Sequence, residues 1–347
     1  MSGRAMSTEA DTLLEVRSLS MRYPLRRRTP FAPRQYVHAV NDVSLSLRRG
    51  ETLGIVGESG CGKTTLARCI LRLLEPTHGR IALRGEDITH LRGRALREAR
   101  RHMQFVFQDP YASLDPRMRA LELVREPLDA LGGLGRAEAD ALALRLLERV
   151  GLSAAQAQQF PHQFSGGQRQ RIGIARALAL KPQLVVADEP VSALDVSVRA
   201  QILNLMADLR EEFGLSYLII SHDLAIIEHV CDQVAIVYLG RIVEHGPVEQ
   251  IFLNPRHPYT RALLAAIPRP DPARRVRAAD ITGDLPNPAS PPPGCPFHPR
   301  CPHAQARCTQ SVPSLDALPA SAARVGSGAH RVACFFAEHL GPAGEPA

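Results

Sequence analysis

The chain has 347 residues, 22% of them charged and 45% hydrophobic, with a formal net charge of +7. That is length for about two domains of ~150 residues, with apolar material enough for a core, so general disorder is excluded. The apolar runs, such as 217–220 and 234–239, are far shorter than the ~18 residues of a membrane span, and the acid-bearing start MSGRAMSTEADTLLEV does not read as a secretory signal. The protein is therefore expected to stay in the cytoplasm.

Of the 42 basic residues only Lys63 and Lys181 are lysines; the rest are arginines. A compact ammonium on a flexible stem suits a tight phosphate site that a planar guanidinium fork does not, which singles out Lys63. The arginines are spread along the chain, with short clusters at 26–28, 97–101 and 274–277. There is no Trp and only 16 Phe and Tyr, so no aromatic–basic alternation for stacking bases is present. A nucleic-acid partner is not expected.

Short apolar runs at 14–16, 43–47, 52–56, 104–107, 184–187 and 217–220 read as strands, and they alternate with helical patterns, which predicts an α/β fold. Tyr23 and Tyr36 bracket an Arg-rich insert at 24–35. The run 52–56 leads into Gly57, Glu58, Ser59, Gly60, Cys61, Gly62, Lys63, Thr64 and Thr65, which spell G-x4-G-K-[ST] between a strand and a helix. Glycines there let successive N–H groups turn toward phosphate oxygens at a helix N-terminus; Lys63 would neutralise the outer phosphates and the Thr64 hydroxyl would ligate Mg2+. The run 104–107 ends in Gln108. Strand signals then vanish over 118–163, where Leu142, Leu146, Leu147 and Val150 mark an amphipathic helix, so a helical insert is expected.

Ser165, Gly166, Gly167 and Gln168 open the helix that follows, a second anion-binding helix start. One nucleotide does not need two such starts from one subunit, so this one either serves a partner's nucleotide or is a plain helix cap. The run 184–187 ends in Asp188 and Glu189. Asp188 would hold Mg2+ through water, and Glu189 would polarise the attacking water. Ile202, Leu205, Met206 and Leu209 give one apolar helix face, read as core. His222 follows the run 217–220. Cys61, Cys69 and Cys231 read as reduced structural residues.

In this order and spacing, residues 13–270 resemble the ATP-binding subunits of ABC transporters. The resemblance implies an α/β P-loop ABC ATPase domain, placed at 13–250 after a tail at 1–12, with a helical subdomain at about 112–168. It implies that residues 57–65 bind ATP and that Gln108 is the Q-loop glutamine, near Mg2+. Ser165, Gly166, Gly167 and Gln168 would be the signature acting in trans, Asp195 the D-loop aspartate of Ser192-Ala193-Leu194-Asp195, and His222 the switch histidine at the γ-phosphate. Tyr23 resembles the aromatic that stacks on adenine, with Tyr36 its rival. The one departure is Phe164, where many relatives carry Leu.

After Pro268 the texture changes to a Pro-rich linker ending at 294, so 251–294 reads as extension and linker, 295–338 as a cysteine module and 339–347 as a tail. His257-Pro258-Tyr259-Thr260, Phe160-Pro161-His162, 196–201 and 283–288 resemble the dipeptide and oligopeptide importer branch, and most closely its F-type dipeptide permease subunits. Cys295, Cys301, Cys308 and Cys334 are spaced x5, x6 and x25. Clustered thiols in a cytoplasmic chain suggest a soft metal or a cluster, and four thiolates suit zinc or iron–sulfur, although the spacing is looser than the x2 of zinc modules. The resemblance implies a 4Fe-4S cluster, with zinc as the alternative and His298 or His303 as substitute ligands. A module this small with little core of its own would need such a staple.

The resemblance further implies an ATP-hydrolysing subunit that energises import of dipeptides and oligopeptides. Its partners would be two transmembrane permease subunits, a second ATP-binding subunit of the D-type, and an extracytoplasmic peptide-binding protein, with this chain on the cytoplasmic face of the inner membrane. Nickel or another small solute is the alternative cargo. A soluble ABC protein acting on DNA or ribosomes is disfavoured, because such proteins generally carry two cassettes in one chain.

Overall fold

The structure is a computed structural model that describes residues 11–25, 29, 31, 34–267, 283–318 and 329–340. Much of the insert at 24–35, including Arg26 to Arg28, lies outside the described residues. So does the linker stretch 268–282, with Pro268, Pro270, Pro272 and the arginines at 274–277.

Thr12–Pro24 (β1) and Tyr36–Arg48 (β2) form a long antiparallel hairpin, and Thr52–Val56 (β3) runs into helix Lys63–Ile70 (α1). His78–Leu83 (β4) and Glu86–Asp87 (β5) return to the hairpin, making a four-stranded sheet ordered β2-β1-β4-β5. Helix Gly93–Arg101 (α2) and Met103–Val106 (β6) precede the helical insert, which contains Ala120–Leu131 (α3) and Arg136–Arg149 (α4). Gly166–Leu178 (α5), Leu184–Asp188 (β7), Val196–Phe213 (α6), Ser216–Ser221 (β8), Leu224–Val230 (α7) and Gln233–Tyr238 (β9) then alternate as the sequence predicts. Arg241–Pro247 (β10), Val248–Leu253 (α8) and Pro258–Ala265 (α9) follow, and beyond the linker come Ala306–Gln310 (α10), Asp316–Ala317 (β11) and Arg331–Val332 (β12).

The second sheet has eight strands in the order β11-β12-β10-β9-β3-β8-β7-β6, parallel from β9 to β6 and antiparallel toward β11. Its central strands are buried on both faces, which is why β3, β7 and β8 read as unbroken apolar runs. The period-2 alternation is still there, sorted between two cores. Leu184, Val186, Leu218 and Ile220 join the core under the four-stranded sheet, whereas Val185, Ala187, Tyr217 and Ile219 join the one that includes the helical insert.

Helix α6 shows how local chemistry sets its length. Asp195 caps its N-terminus by accepting from the Val198 N–H, and Gly214 ends it in a left-handed conformation, φ 62°, which a glycine adopts without cost.

The cysteine stretch is built onto the cassette. Strand β12 pairs with β10, Glu244 opposite Val332, and Phe297 packs edge-on against Tyr238 in the large core. Among the described residues no helix is long and apolar enough to cross a membrane.

Candidate active site

The chemistry-bearing residues collect at the C-terminal ends of the parallel strands, where open α/β sheets bind ligands. The loop 57–62 follows β3, Gln108 follows β6, Asp188 ends β7 with Glu189 next, and His222 follows β8. Two loop glycines are sterically required. A Cβ on Gly57 would lie 2.2 Å from the Val237 carbonyl oxygen, and one on Gly62, whose φ is 103°, would lie 1.9 Å from that of Ala39. Gly60 also has a positive φ, 79°, but faces open space.

Lys63 is 6% exposed, and its Nζ donates to the Gly57 carbonyl at 2.7 Å and the Glu58 carbonyl at 2.9 Å. The ammonium is thus folded across its own loop, next to buried Cys61, whose thiol burial pushes above its ordinary value. Ser59 is exposed, whereas Thr64 and Thr65 are half-buried at the start of α1.

Asp188 is buried, and burial raises its pKa, opposed chiefly by a hydrogen bond with Thr64. Its Oδ1 is buried without a hydrogen-bond partner. A buried carboxylate with a spare oxygen beside a hydroxyl is a donor set that fits a hard divalent cation. Glu189, one residue on, is gripped from two sides. Gln108 Nε2 donates to Oε2 at 3.0 Å, and His222 Nδ1 lies 2.9 Å from Oε1. Three neighbouring strand ends therefore bring the sequence-predicted Gln108, Glu189 and His222 onto one carboxylate. Glu189 adopts φ 46°, unusual for a residue with a Cβ.

Ser165 and Gln168 form a reciprocal cap on α5: Ser165 Oγ accepts from the Gln168 N–H at 3.3 Å and Gln168 Oε1 accepts from the Ser165 N–H at 3.0 Å. Within this chain they are a helix cap. Gly166 and Gly167 form the first turn, and a Cβ on Gly167 would lie 2.4 Å from Val198 Cγ1 on α6. Tyr23 and Tyr36 sit at one end of the β1–β2 ladder, on adjacent register pairs, and the Arg22 guanidinium covers the Tyr36 ring at 5.0 Å.

Two contacts to this loop had no signal in the sequence. The Glu58 carboxylate, expected among the ATP-binding groups, accepts two hydrogen bonds from Arg300, at 2.8 and 3.0 Å. The Glu58 N–H donates to the Tyr259 hydroxyl at 2.9 Å. Tyr259 belongs to the HPYT stretch, whose Pro258 could be read as a helix start but whose tyrosine gave no hint of where it pointed.

Cys295, Cys301, Cys308 and Cys334 line one small cavity with Phe297, Phe335, Phe336, His298 and His303. Burial raises Cys295 and Cys301 each to about 11, and the neighbouring thiols push the same way. Among the described residues, however, no group of three or more His, Cys, Asp or Glu side chains is disposed to hold a metal ion. The described residues therefore support neither the 4Fe-4S cluster nor its zinc alternative.

Comparison with known proteins agrees with this architecture. Residues 40–192 match the family described as ABC transporter, and residues 243–308 match the oligopeptide/dipeptide transporter C-terminal region. The chain is 53% identical over 310 residues to a probable peptide ABC transporter ATP-binding protein, y4tS, of Sinorhizobium fredii, covering 89% of this chain and 88% of that one. It is 47% identical over 334 residues to the dipeptide transport ATP-binding protein DppF of Escherichia coli, covering 95% and 97%. Among solved structures, the dimeric ATP-binding cassette MJ0796 with ADP and Pi superposes with a TM-score of 0.61 at 30% identity, over 68% of this chain and 99% of that one. The chain belongs to the family of ABC transporter ATP-binding proteins, in the branch that carries the oligopeptide/dipeptide transporter C-terminal region.

Proposed function

We propose that this ABC ATPase energises the import of dipeptides and oligopeptides across the cytoplasmic membrane. The observation that carries the ATPase part is the shared Glu189 carboxylate, held by Gln108 and His222 beside Asp188, Thr64 and the glycine loop. The C-terminal region match and the peptide-import names of the relatives support the cargo. Two transmembrane permease subunits, a second ATP-binding subunit of D-type and an extracytoplasmic peptide-binding protein complete the importer. The chain sits at the cytoplasmic face of the inner membrane.

In this reading the β- and γ-phosphates take over the Lys63 ammonium from the Gly57 and Glu58 carbonyls, and the loop N–H groups receive the rest of the charge. Thr64 and Asp188, with Gln108 nearby, would hold Mg2+, which when bound would supply positive charge beside the phosphates. Glu189 accepts a proton from the attacking water, and His222 contacts the γ-phosphate. Tyr23 stacks on adenine, since Arg22 already occupies the Tyr36 ring. Ser165, Gly166, Gly167 and Gln168, backed by Asp195, close over the partner subunit's nucleotide, so binding draws two subunits together and hydrolysis releases them.

Cys295, Cys301, Cys308 and Cys334 would hold a 4Fe-4S cluster. Support comes from the resemblance to the peptide-importer branch and from the four thiols lining one apolar-walled cavity. Bound there, the cluster would cross-link four points of the C-terminal segment. Absence of iron and of broad visible absorbance in anaerobically prepared protein would overturn that assignment.

The function is tested by ATP hydrolysis in the assembled complex, with the binding protein empty or dipeptide-loaded. Stimulation by the loaded form alone is expected. An active ATPase indifferent to dipeptides would overturn the cargo and point to nickel or another small solute.

A further inference from the structure

Glu58 is held at its carbonyl, its N–H and both oxygens of its carboxylate. Its carbonyl accepts from Lys63, its N–H donates to Tyr259, and its carboxylate receives both terminal nitrogens of Arg300. The first of these bonds lies within the phosphate loop, but the other two come from beyond the cassette's strand ends. Arg300 lies between Cys295 and Cys301, in a short turn in which the Arg300 N–H donates to the Phe297 carbonyl and the Cys301 N–H to the His298 carbonyl. Its side chain is only 9% exposed, and its guanidinium sits 5.8 Å from the Tyr238 ring centre, where one nitrogen also reaches the Tyr238 hydroxyl at 3.4 Å. A fork so enclosed has little freedom to follow Glu58 if the loop shifts. A bidentate charge-assisted pair fixes direction as well as distance.

The consequence is directional. When phosphate draws the Lys63 ammonium off the loop carbonyls, the Glu58 carbonyl keeps only the longer bond from the Cys61 N–H at 3.3 Å, and the C-terminal segment holds the residue's N–H and carboxylate in register. We propose that Arg300 is a positioning residue for the nucleotide site: the cysteine segment braces the phosphate loop through the Arg300–Glu58 pair, and nucleotide affinity falls when that brace is released. Tyr259 provides the second tie, so loop geometry reports on the docking of residues 201 and 242 positions away. The inference rests on the reading of residues 57–65 as the ATP-binding loop.

The test measures equilibrium binding of a non-hydrolysable ATP analogue with Mg2+ to the full chain and to the variants Arg300→Met, Arg300→Lys, Glu58→Gln and Arg300→Met/Glu58→Gln. Arg300→Met should weaken binding about tenfold, a usual size for coupling between two sites. Arg300→Lys should recover part of the loss, because charge returns without the fork. The double variant should bind no worse than the weaker single variant, since both lose the same pair. Full affinity in Arg300→Met, or losses that multiply in the double variant, would overturn the proposal. Should Arg300→Met fail to fold, Glu58→Gln at the part-exposed end of the pair decides it by the same criterion of lost or full affinity. Lys63→Ala separates the two readings: if it too binds normally, the loop assignment has failed, whereas loss there with full affinity in Arg300→Met overturns the brace alone.

Discussion

Glu189 carries more constraint than any other residue in the site. Its φ of 46° costs about 1 kcal/mol for a residue with a Cβ, and its N–H is tied to the Ile220 carbonyl at 2.9 Å. Gln108 and His222 then fix the carboxylate, so the backbone twist aims the side chain across the strand ends. Glu189→Gln keeps the shape and the hydrogen bonds to a neutral group but removes the proton acceptor. Steady-state hydrolysis should fall about 100-fold or more while ATP still binds and the subunit pair stays closed. A variant turning over near the normal rate would remove Glu189 as the base. Asp188 was as legible in the sequence as Glu189, because both end an apolar run downstream of the glycine loop. The partnerless Oδ1 and the Thr64 bond were not legible, since they depend on how β7 and α1 pack.

At the level of elements, strands read from apolar runs, such as those at 52–56, 184–187 and 217–220, lie within strands of the structure. Residues 78–83 and 241–247 went unread because each mixes charged or polar groups with apolar ones, as strands near sheet edges do. The pair α5–α6 shows what a motif can hide. Gly167 belongs to a signature that could be a bare cap, yet its missing Cβ is what lets α6 approach, through Val198. Gly167→Ala should destabilise by about 1–3 kcal/mol, because Val198 is β-branched and cannot swing aside. Thermal unfolding of Gly167→Ala and of Gly167→Ala/Val198→Ala checks this; the second change should restore most of the lost stability. Equal stability of both variants would mean that the contact is slack.

Across the whole molecule, the four-stranded sheet, the eight-stranded sheet and the C-terminal segment meet around polar groups that include buried His257 and half-buried His245. Burial lowers His257 to about 4 despite the Glu244 carboxylate nearby, and burial lowers His245 to about 4, aided by Arg331 and His330. Both are depressed below their unfolded values near 6.5, so below that pH the unfolded chain binds protons that the folded chain refuses. Stability should therefore be level above pH ~6.5 and fall as pH drops from there to about 4, by up to about 1.4 kcal/mol per pH unit for each histidine. His257→Asn keeps an oxygen to cap the Tyr259 N–H and should flatten that slope, even if it lowers stability overall. An unchanged slope in urea titrations at stepped pH would show that His257 is not a source. Nothing in the sequence marked these histidines, since His257 stood out only as part of a branch signature.

The pairing of β12 with β10 also sets an order of events during synthesis. Glu244 is fully buried, and besides the Arg256 and His257 N–H groups it meets His330 at 2.7 Å, 86 residues later in the chain. At ~5–20 residues per second the ribosome needs on the order of ten seconds to deliver that last partner. Throughout that interval a cassette with every ATP motif already translated still has an open sheet edge at β10 and a carboxylate short of one bond. A chain broken off in the interval would present that edge to proteases, so cells would keep finished copies in preference to interrupted ones.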